Sequence, residues 1–185
     1  PYQGYALVLR NGRPKFVIRA DKEISSVIAK RKVAGKWTHL AGVLDSEKKL
    51  HIYVNGKLSA SSQALKLIPA SPAQAMEIGA DEGGPVGDYQ SPFGFTGTID
   101  EVKVYHRALT AEEVAAHYSS PDKGLAQSPG PAARFSFDGD SSTDESGNKN
   151  HGKAEGASPV AGKFGKALKF TGASSVVSFK VVHHW

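Results

Sequence analysis

Asp100 sits where its charge has to be answered. Counting by twos along residues 95–106, Asp100, Val102 and Val104 fall on one face, and Ile99, Glu101, Lys103 and Tyr105 on the other. With the valines inward, the Asp100 carboxylate points inward at the start of the strand, where an uncompensated charge is costly. Backbone N–H groups or an Arg would neutralise it. Asp138, Asp140 and Asp144 add a second acidic stretch. Asp also favours side-chain-closed turns, so these three equally suit loop corners. Glu101 reads as an outward partner of Lys103.

A second group of residues suits stacking and hydroxyl recognition. Tyr89, Phe93 and Phe95 lie with Asp81, Glu82 and Asp88 in the Gly/Pro-rich loop 80–94 and its exit. Tyr89 or Phe93 would stack on the apolar face of a sugar ring, and Asp88 would accept hydroxyl hydrogens. The alternative is that Phe93 and Phe95 staple the loop to the core, which is preferred for Phe95. Tyr53, outward beside His51, is a further candidate on a sheet face. No catalytic residue is assigned. The seven histidines show no metal-ligand spacing, His39 reads as packed, and there is no G-x-S-x-G elbow. No Ser–His–Asp arrangement stands out.

Short strands must position these residues. Runs at Tyr5–Leu9, Lys15–Arg19 and Ser26–Ala29 are broken by Asn11-Gly12 and by charged turns. Trp37–Leu44 reads as a central strand. Leu50, Ile52 and Val54 alternate with His51, Tyr53 and Asn55, and Asn55-Gly56 suits a two-residue type I′ hairpin turn. Thr110 and Glu113 form a T-x-x-E capping box, which predicts one helix ending near Tyr118. Residues 119–131 read as a linker reaching roughly 43 Å when extended.

Composition limits the function classes. The 185 residues include 20 Gly, 10 Pro and one Met, which suits a turn-rich β protein. The net charge of +5 is spread along the chain rather than clustered beside stacking aromatics, so no nucleic-acid partner is expected. No apolar run approaches the ~20 residues that span a bilayer, so no membrane insertion is expected. No signal segment opens the sequence.

The motifs Gly35-Lys-Trp-Thr-His-Leu-Ala41, Lys49-Leu-His-Ile-Tyr-Val-Asn-Gly-Lys57 and Thr98-Ile-Asp-Glu-Val-Lys-Val-Tyr105 resemble the closing half of a laminin-G-like, concanavalin A-like jelly roll. Phe137-Asp-Gly139, Asp144-Glu-Ser-Gly-Asn148 and Gly162-Lys-Phe-Gly-Lys-Ala-Leu-Lys-Phe170 resemble its opening half. The opening half comes last here, as in a circular permutation or a cut from a tandem array. The resemblance implies an all-β, two-sheet antiparallel jelly-roll sandwich with one short helix. Residues 1–118 would be the closing half, 119–131 the linker, and 132–185 the strands that complete the sandwich, within a monomer or a strand-swapped dimer. The tail Val181-Val-His-His-Trp185 would be an edge strand or a remnant foreign to the domain.

The same resemblance implies a structural Ca²⁺ held by Asp100, Asp138, Asp140 and Asp144, hard oxygen ligands of the type this ion takes. It implies a polysaccharide or glycan partner, and a secreted or cell-surface bacterial setting. Laminarinases of this architecture carry an E-x-D-x-x-E strand whose alternation brings two carboxylates to one face. Here Thr98 and Lys103 take the outer positions, so that pair is absent. The expected role is a non-catalytic carbohydrate-binding or adhesion module of a larger protein. A hydrolase acting on glycosides or esters at an unrecognised site is the alternative, and a structural spacer is the third.

Overall fold

A computed structural model describes residues 3–69, 74–90, 93–121 and 129–180. The chain is all-β and antiparallel throughout these residues, with one short helix, the jelly-roll class expected from sequence. The described residues divide into two compact units. The first holds 3–69, 86–88 and 107–121, and the second holds 74–85, 89–106 and 129–180. The units therefore do not follow the two sequence blocks. The expectations for the tail 181–185 and for most of the linker lie outside the described residues.

The first unit is built from two three-stranded sheets and a helix. Strands β1 (Gly4–Arg10), β2 (Arg13–Ala20) and β3 (Glu23–Ile28) form one meander, and β4 (Leu40–Leu44), β5 (Lys49–Val54) and β6 (Lys57–Gln63) form the other. Asn11 and Gly12, and again Asn55 and Gly56, have positive φ, as two-residue type I′ turns require. Phe16, Ile18, Val27 and Ala29 of the first meander meet Leu50, Ile52 and Ala64 of the second in one buried cluster. Period-2 alternation in β2 and β5 creates that interface. The strand expected from Trp37 begins only at Leu40.

Helix α1 (Ala111–Ser119) is capped as its sequence demands. Thr110 Oγ1 accepts the Glu113 N–H at 3.2 Å, and Glu113 Oε2 accepts the Thr110 N–H at 2.9 Å. Its fully buried Val114 covers Val43 and Tyr53 on the face of the β4–β5–β6 sheet turned away from the other meander. That corrects the reading of Tyr53 as an outward ligand-binding residue. Alternation does put Tyr53 opposite Leu50 and Ile52, but the helix covers that face and leaves Tyr53 6% exposed.

The second unit joins segments far apart in sequence. Its strands are β7 (Met76–Ile78), β8 (Thr96–Ile99), β9 (Val102–Val104), β10 (Ala133–Phe135), β11 (Gly152–Glu155), β12 (Ser158–Ala161), β13 (Lys166–Thr171) and β14 (Val176–Phe179). The ladders are β10–β9, β11–β14–β7 and β12–β13–β8. Each contains one segment from 76–104 and at least one from the C-terminal block. Phe135, Phe170, Leu168 and Val177 are essentially inaccessible. Phe135 packs on Phe137 and Phe179 with ring centroids 6.2 and 4.6 Å apart.

Candidate functional site

The run 95–106 is not one strand. It breaks at Asp100 and Glu101, where Glu101 has φ +50°. Asp100 Oδ2 accepts the backbone N–H groups of Lys163 and Phe164 at 2.8 and 3.0 Å. Asp138 Oδ1 accepts the N–H of Lys166 at 2.6 Å. The two carboxylates thus hold the same turn, 162–166. A Cβ on Gly165 would lie 1.9 Å from Asp138 Oδ1, and Gly165 has φ +52°, so glycine is required there. Burial raises the Asp100 pKa, the three N–H groups around it act in the opposite sense, and the charge of Asp138 raises it further.

Asp140 and Asp144 serve other turns. Asp140 Oδ1 accepts the N–H and hydroxyl of Ser142 at 3.0 and 2.8 Å. Buried Asp144 accepts N–H groups of Arg134, Ser146 and Asn150 and the Ser146 hydroxyl, all between 2.8 and 2.9 Å. Burial works against its ionisation, but these donors outweigh it and hold its pKa below the usual value. Among the described residues no three His, Asp or Glu side chains gather in a way that holds a metal ion. Asp100 and Asp138 share one turn while Asp140 and Asp144 serve others. Although Asp100 Oδ1 is buried without a hydrogen-bond partner among the described residues, the four carboxylates do not gather as one calcium ligand set. Glu101 does pair with Lys103, at 3.2 Å, but its side chain is only 9% exposed rather than outward.

The residues expected to bind a sugar serve different parts of the fold. Tyr89 and Phe93 of the second unit do come together, with ring centroids 4.8 Å apart. The Tyr89 hydroxyl donates to Asp81 Oδ2 at 2.7 Å, and Asp81 and Phe93 exchange two backbone hydrogen bonds of 3.0 Å. Both rings are half-buried and close the loop on itself. Asp88 belongs to the first unit, where Lys15 Nζ lies 2.6 Å away and Arg10 pairs with its other oxygen. Arg19 grips the neighbouring carbonyls of Val86 and Gly87 at 3.0 and 3.2 Å. The Lys15 and Arg10 bonds hold the Asp88 carboxyl far below the usual range. It is an anchor for the 86–88 segment, not a free hydroxyl acceptor.

Two arrangements in the first unit escape the sequence. His51 Nδ1 lies 2.7 Å from Ser61 Oγ, while Nε2 lies 3.1 Å from Asp45 Oδ2. Asp45 Oδ1 also accepts the N–H groups of Glu47 and Lys49, both at 2.9 Å. Burial opposes ionisation of Asp45, yet the Lys49 N–H, the His51 ring and the Glu47 N–H together keep its pKa below the usual value. A carboxylate, an imidazole and a hydroxyl in this order are the parts that general-base activation of a serine uses.

The second arrangement surrounds the β5–β6 turn. Trp37 and Tyr118 are 43% and 48% exposed, the two most exposed aromatic side chains among the described residues. The His39 ring lies 5.9 Å from that of Tyr118. The only sequence signal was the aromatic content of Trp37-Thr-His39, which strand reading had buried.

The family described as the concanavalin A-like lectin/glucanases superfamily matches residues 2–115. No curated protein matches the chain. A crystal structure of an S-layer domain-containing protein (residues 221–444) from Clostridium thermocellum is 20% identical, with a TM-score of 0.33. That match covers 58% of this chain and 52% of the other, about half the length of the protein it resembles. The match over 2–115 spans the two meanders, the helix start and strands β7–β9, and the chain belongs to the concanavalin A-like lectin/glucanases superfamily.

Proposed function

We propose that this chain is a non-catalytic carbohydrate-binding module of a secreted or cell-surface protein. The observation that carries the reading is the pair of half-exposed rings, Trp37 and Tyr118, within a member of a lectin superfamily. Aromatic faces accommodate the C–H faces of sugars, and these two rings stand open to solvent. An open edge of this kind buries little area, so affinity per module is weak. Repetition in the parent protein would raise effective concentration. Affinity electrophoresis through gels carrying neutral or charged polysaccharides tests it. Retardation by at least one polysaccharide supports the module, and unretarded migration in every gel removes it.

A second reading, an ester hydrolase, is favoured by the Asp45–His51–Ser61 chain alone. In it the Ser61 hydroxyl passes its proton to His51 Nδ1 as Oγ attacks the ester carbonyl. The departing alcohol takes that proton, and water then cleaves the acyl-serine to acid and free Ser61. Hydrolysis of p-nitrophenyl acetate that Ser61→Ala and His51→Ala both abolish would establish it. Equal rates for wild type and Ser61→Ala dismiss it.

A further inference from the structure

The fold assembles a cationic edge around the two exposed rings. Tyr118 is seated on the β5–β6 turn. Gly56 beneath it has φ +73°, and a Cβ there would lie 3.0 Å from Tyr118 Cβ and 3.3 Å from Ala115 Cα. Only a residue without a side chain lets the last turn of α1 approach so closely. Asn55, the other turn residue, exchanges two hydrogen bonds with His39: its Oδ1 accepts the His39 N–H at 3.0 Å, and its N–H donates to the His39 carbonyl at 2.8 Å. His39 thereby reaches Tyr118, and Trp37 follows two residues away. Asn55 and Gly56 thus hold His39 and Tyr118 against the turn, which limits the ordering entropy lost when a ligand meets that ring.

Charge collects on the same edge, which corrects the expectation that the cations are spread away from stacking aromatics. The Lys30 N–H donates to Ser59 Oγ at 3.1 Å, which ties the basic run 30–32 to β6 two residues beyond Lys57. Lys36 precedes Trp37 directly, and all five of these cations are exposed. None of them pairs with a carboxylate of the described residues. Between Glu23 and Asp45, and again between Glu47 and Glu77, the sequence holds no acid at all. In α1 the acids Glu112 and Glu113 lie in the first turn, and Glu112 is roughly 9 Å along the axis from Tyr118 at 1.5 Å per residue. Unneutralised cations of one sign produce a field that attracts polyanions.

Resting on the module reading above, we infer that this edge binds an anionic polysaccharide. Sugar rings stack on Trp37 and Tyr118, while sulfate or uronate groups meet the basic run 30–32, Lys36 and Lys57. Membership of a lectin superfamily favours a glycan over a nucleic acid, the other polyanion that stacks on aromatic rings.

The test is titration of the whole chain with dextran sulfate, alginate and neutral dextran, and with single-stranded oligothymidylate, at low and at 0.5 M salt, roughly a 4 Å screening length. Dextran sulfate or alginate, whichever binds, distinguishes sulfate from uronate recognition. Trp37→Ala and Tyr118→Ala should each weaken that binding roughly tenfold, as truncation of a central aromatic contact does. Trp37→Phe should recover part of the loss. The double variant Lys30→Gln/Lys36→Gln should weaken binding at low salt and flatten its salt dependence. Melting temperatures of the Trp37 variants should match wild type.

Polyanion binding that ignores both aromatic substitutions would be charge attraction alone and would overturn the inference. So would tighter binding of the oligothymidylate through the same residues. Binding of neutral dextran that Tyr89→Ala abolishes and Trp37→Ala spares would also overturn it, yet leave the module reading standing. Binding of none of the four removes both.

Discussion

Asp100 accepts the backbone N–H of Lys163 at 2.8 Å, across 63 residues of sequence. With the adjoining bond to Phe164 it makes the carboxylate a latch for the turn that precedes β13. Asp138 holds the same turn from the Lys166 N–H.

The first prediction follows from that use of the oxygens. Asp100→Ala leaves two backbone donors without their acceptor and should destabilise by ~1–3 kcal/mol. Calcium and EDTA should give the same melting temperature, because the four acidic residues do not converge on one ligand set. A calcium-dependent rise in melting temperature that Asp100→Asn removes would reverse this assignment.

Tyr53 supports a second prediction. It packs with Val43 and Val114 under α1. Tyr53→Ala should cost ~3–5 kcal/mol, the range for removing a buried aromatic ring. Tyr118→Ala should leave melting nearly unchanged, since 48% of that residue faces water. Thermal unfolding of the two variants side by side decides it. Equal losses would place both rings in the core.

The contrast shows what was legible beforehand. Alternation in β5 correctly put Leu50 and Ile52 inward and Tyr53 opposite, and the capping box correctly placed α1. No local pattern told that α1 would lie over the opposite face. The Asp45–His51–Ser61 chain was hidden for a related reason. Pairing outward from the Asn55–Gly56 turn, Val54 meets Lys57 and Tyr53 meets Leu58, a count that would set His51 against Ala60. The irregularity between Ile52 and Tyr53 shifts the ladder by one residue and brings Ser61 opposite His51 instead. For Asp100 the sequence called for neutralisation of an inward carboxylate, with calcium expected and backbone donors as the alternative. The donors themselves were not legible, because they lie in another sequence block.

A third prediction concerns acid stability. Arg107 makes a two-pronged contact to Glu113, with bonds of 2.7 and 2.6 Å. That contact, with the Thr110 N–H, holds the Glu113 pKa below the usual carboxylate value. A depressed folded-state pKa contributes stability above the unfolded value, near ~4.3, and loses it as pH falls through the folded value. Asp100 and Glu101 run the other way: their pKa values are raised, first by burial, so protonating them favours the folded state. Glu113→Gln should therefore lower melting at pH 7 and shrink the difference between pH 7 and pH 3. An unchanged difference would show that the Arg107 contact does not govern acid unfolding.

The last prediction addresses the C-terminal block. Among the described residues, strands β7, β8 and β9 have β14, β13 and β10 as their ladder partners, all supplied by residues beyond 132. Deleting 132–185 strips every one of those ladders and exposes unpaired edges, which template aggregation. It also removes Phe135, Phe137, Leu168, Phe170, Val177 and Phe179 from the second unit's core, where each buried side chain of this kind contributes ~1.5–3 kcal/mol. The truncated chain should aggregate or lose the cooperative unfolding of residues 74–106, read by hydrogen exchange on β7–β9. Phe135→Ala in the full chain, a milder lesion of the same core, should cost ~3–5 kcal/mol without aggregation. Among the described residues the strands of the first unit's two meanders have their ladder partners within that unit, so their amide protection should survive the Phe135→Ala substitution. A soluble 1–131 fragment with protected amides in β7–β9 and an unaltered melting temperature would refute the pairing of these distant segments.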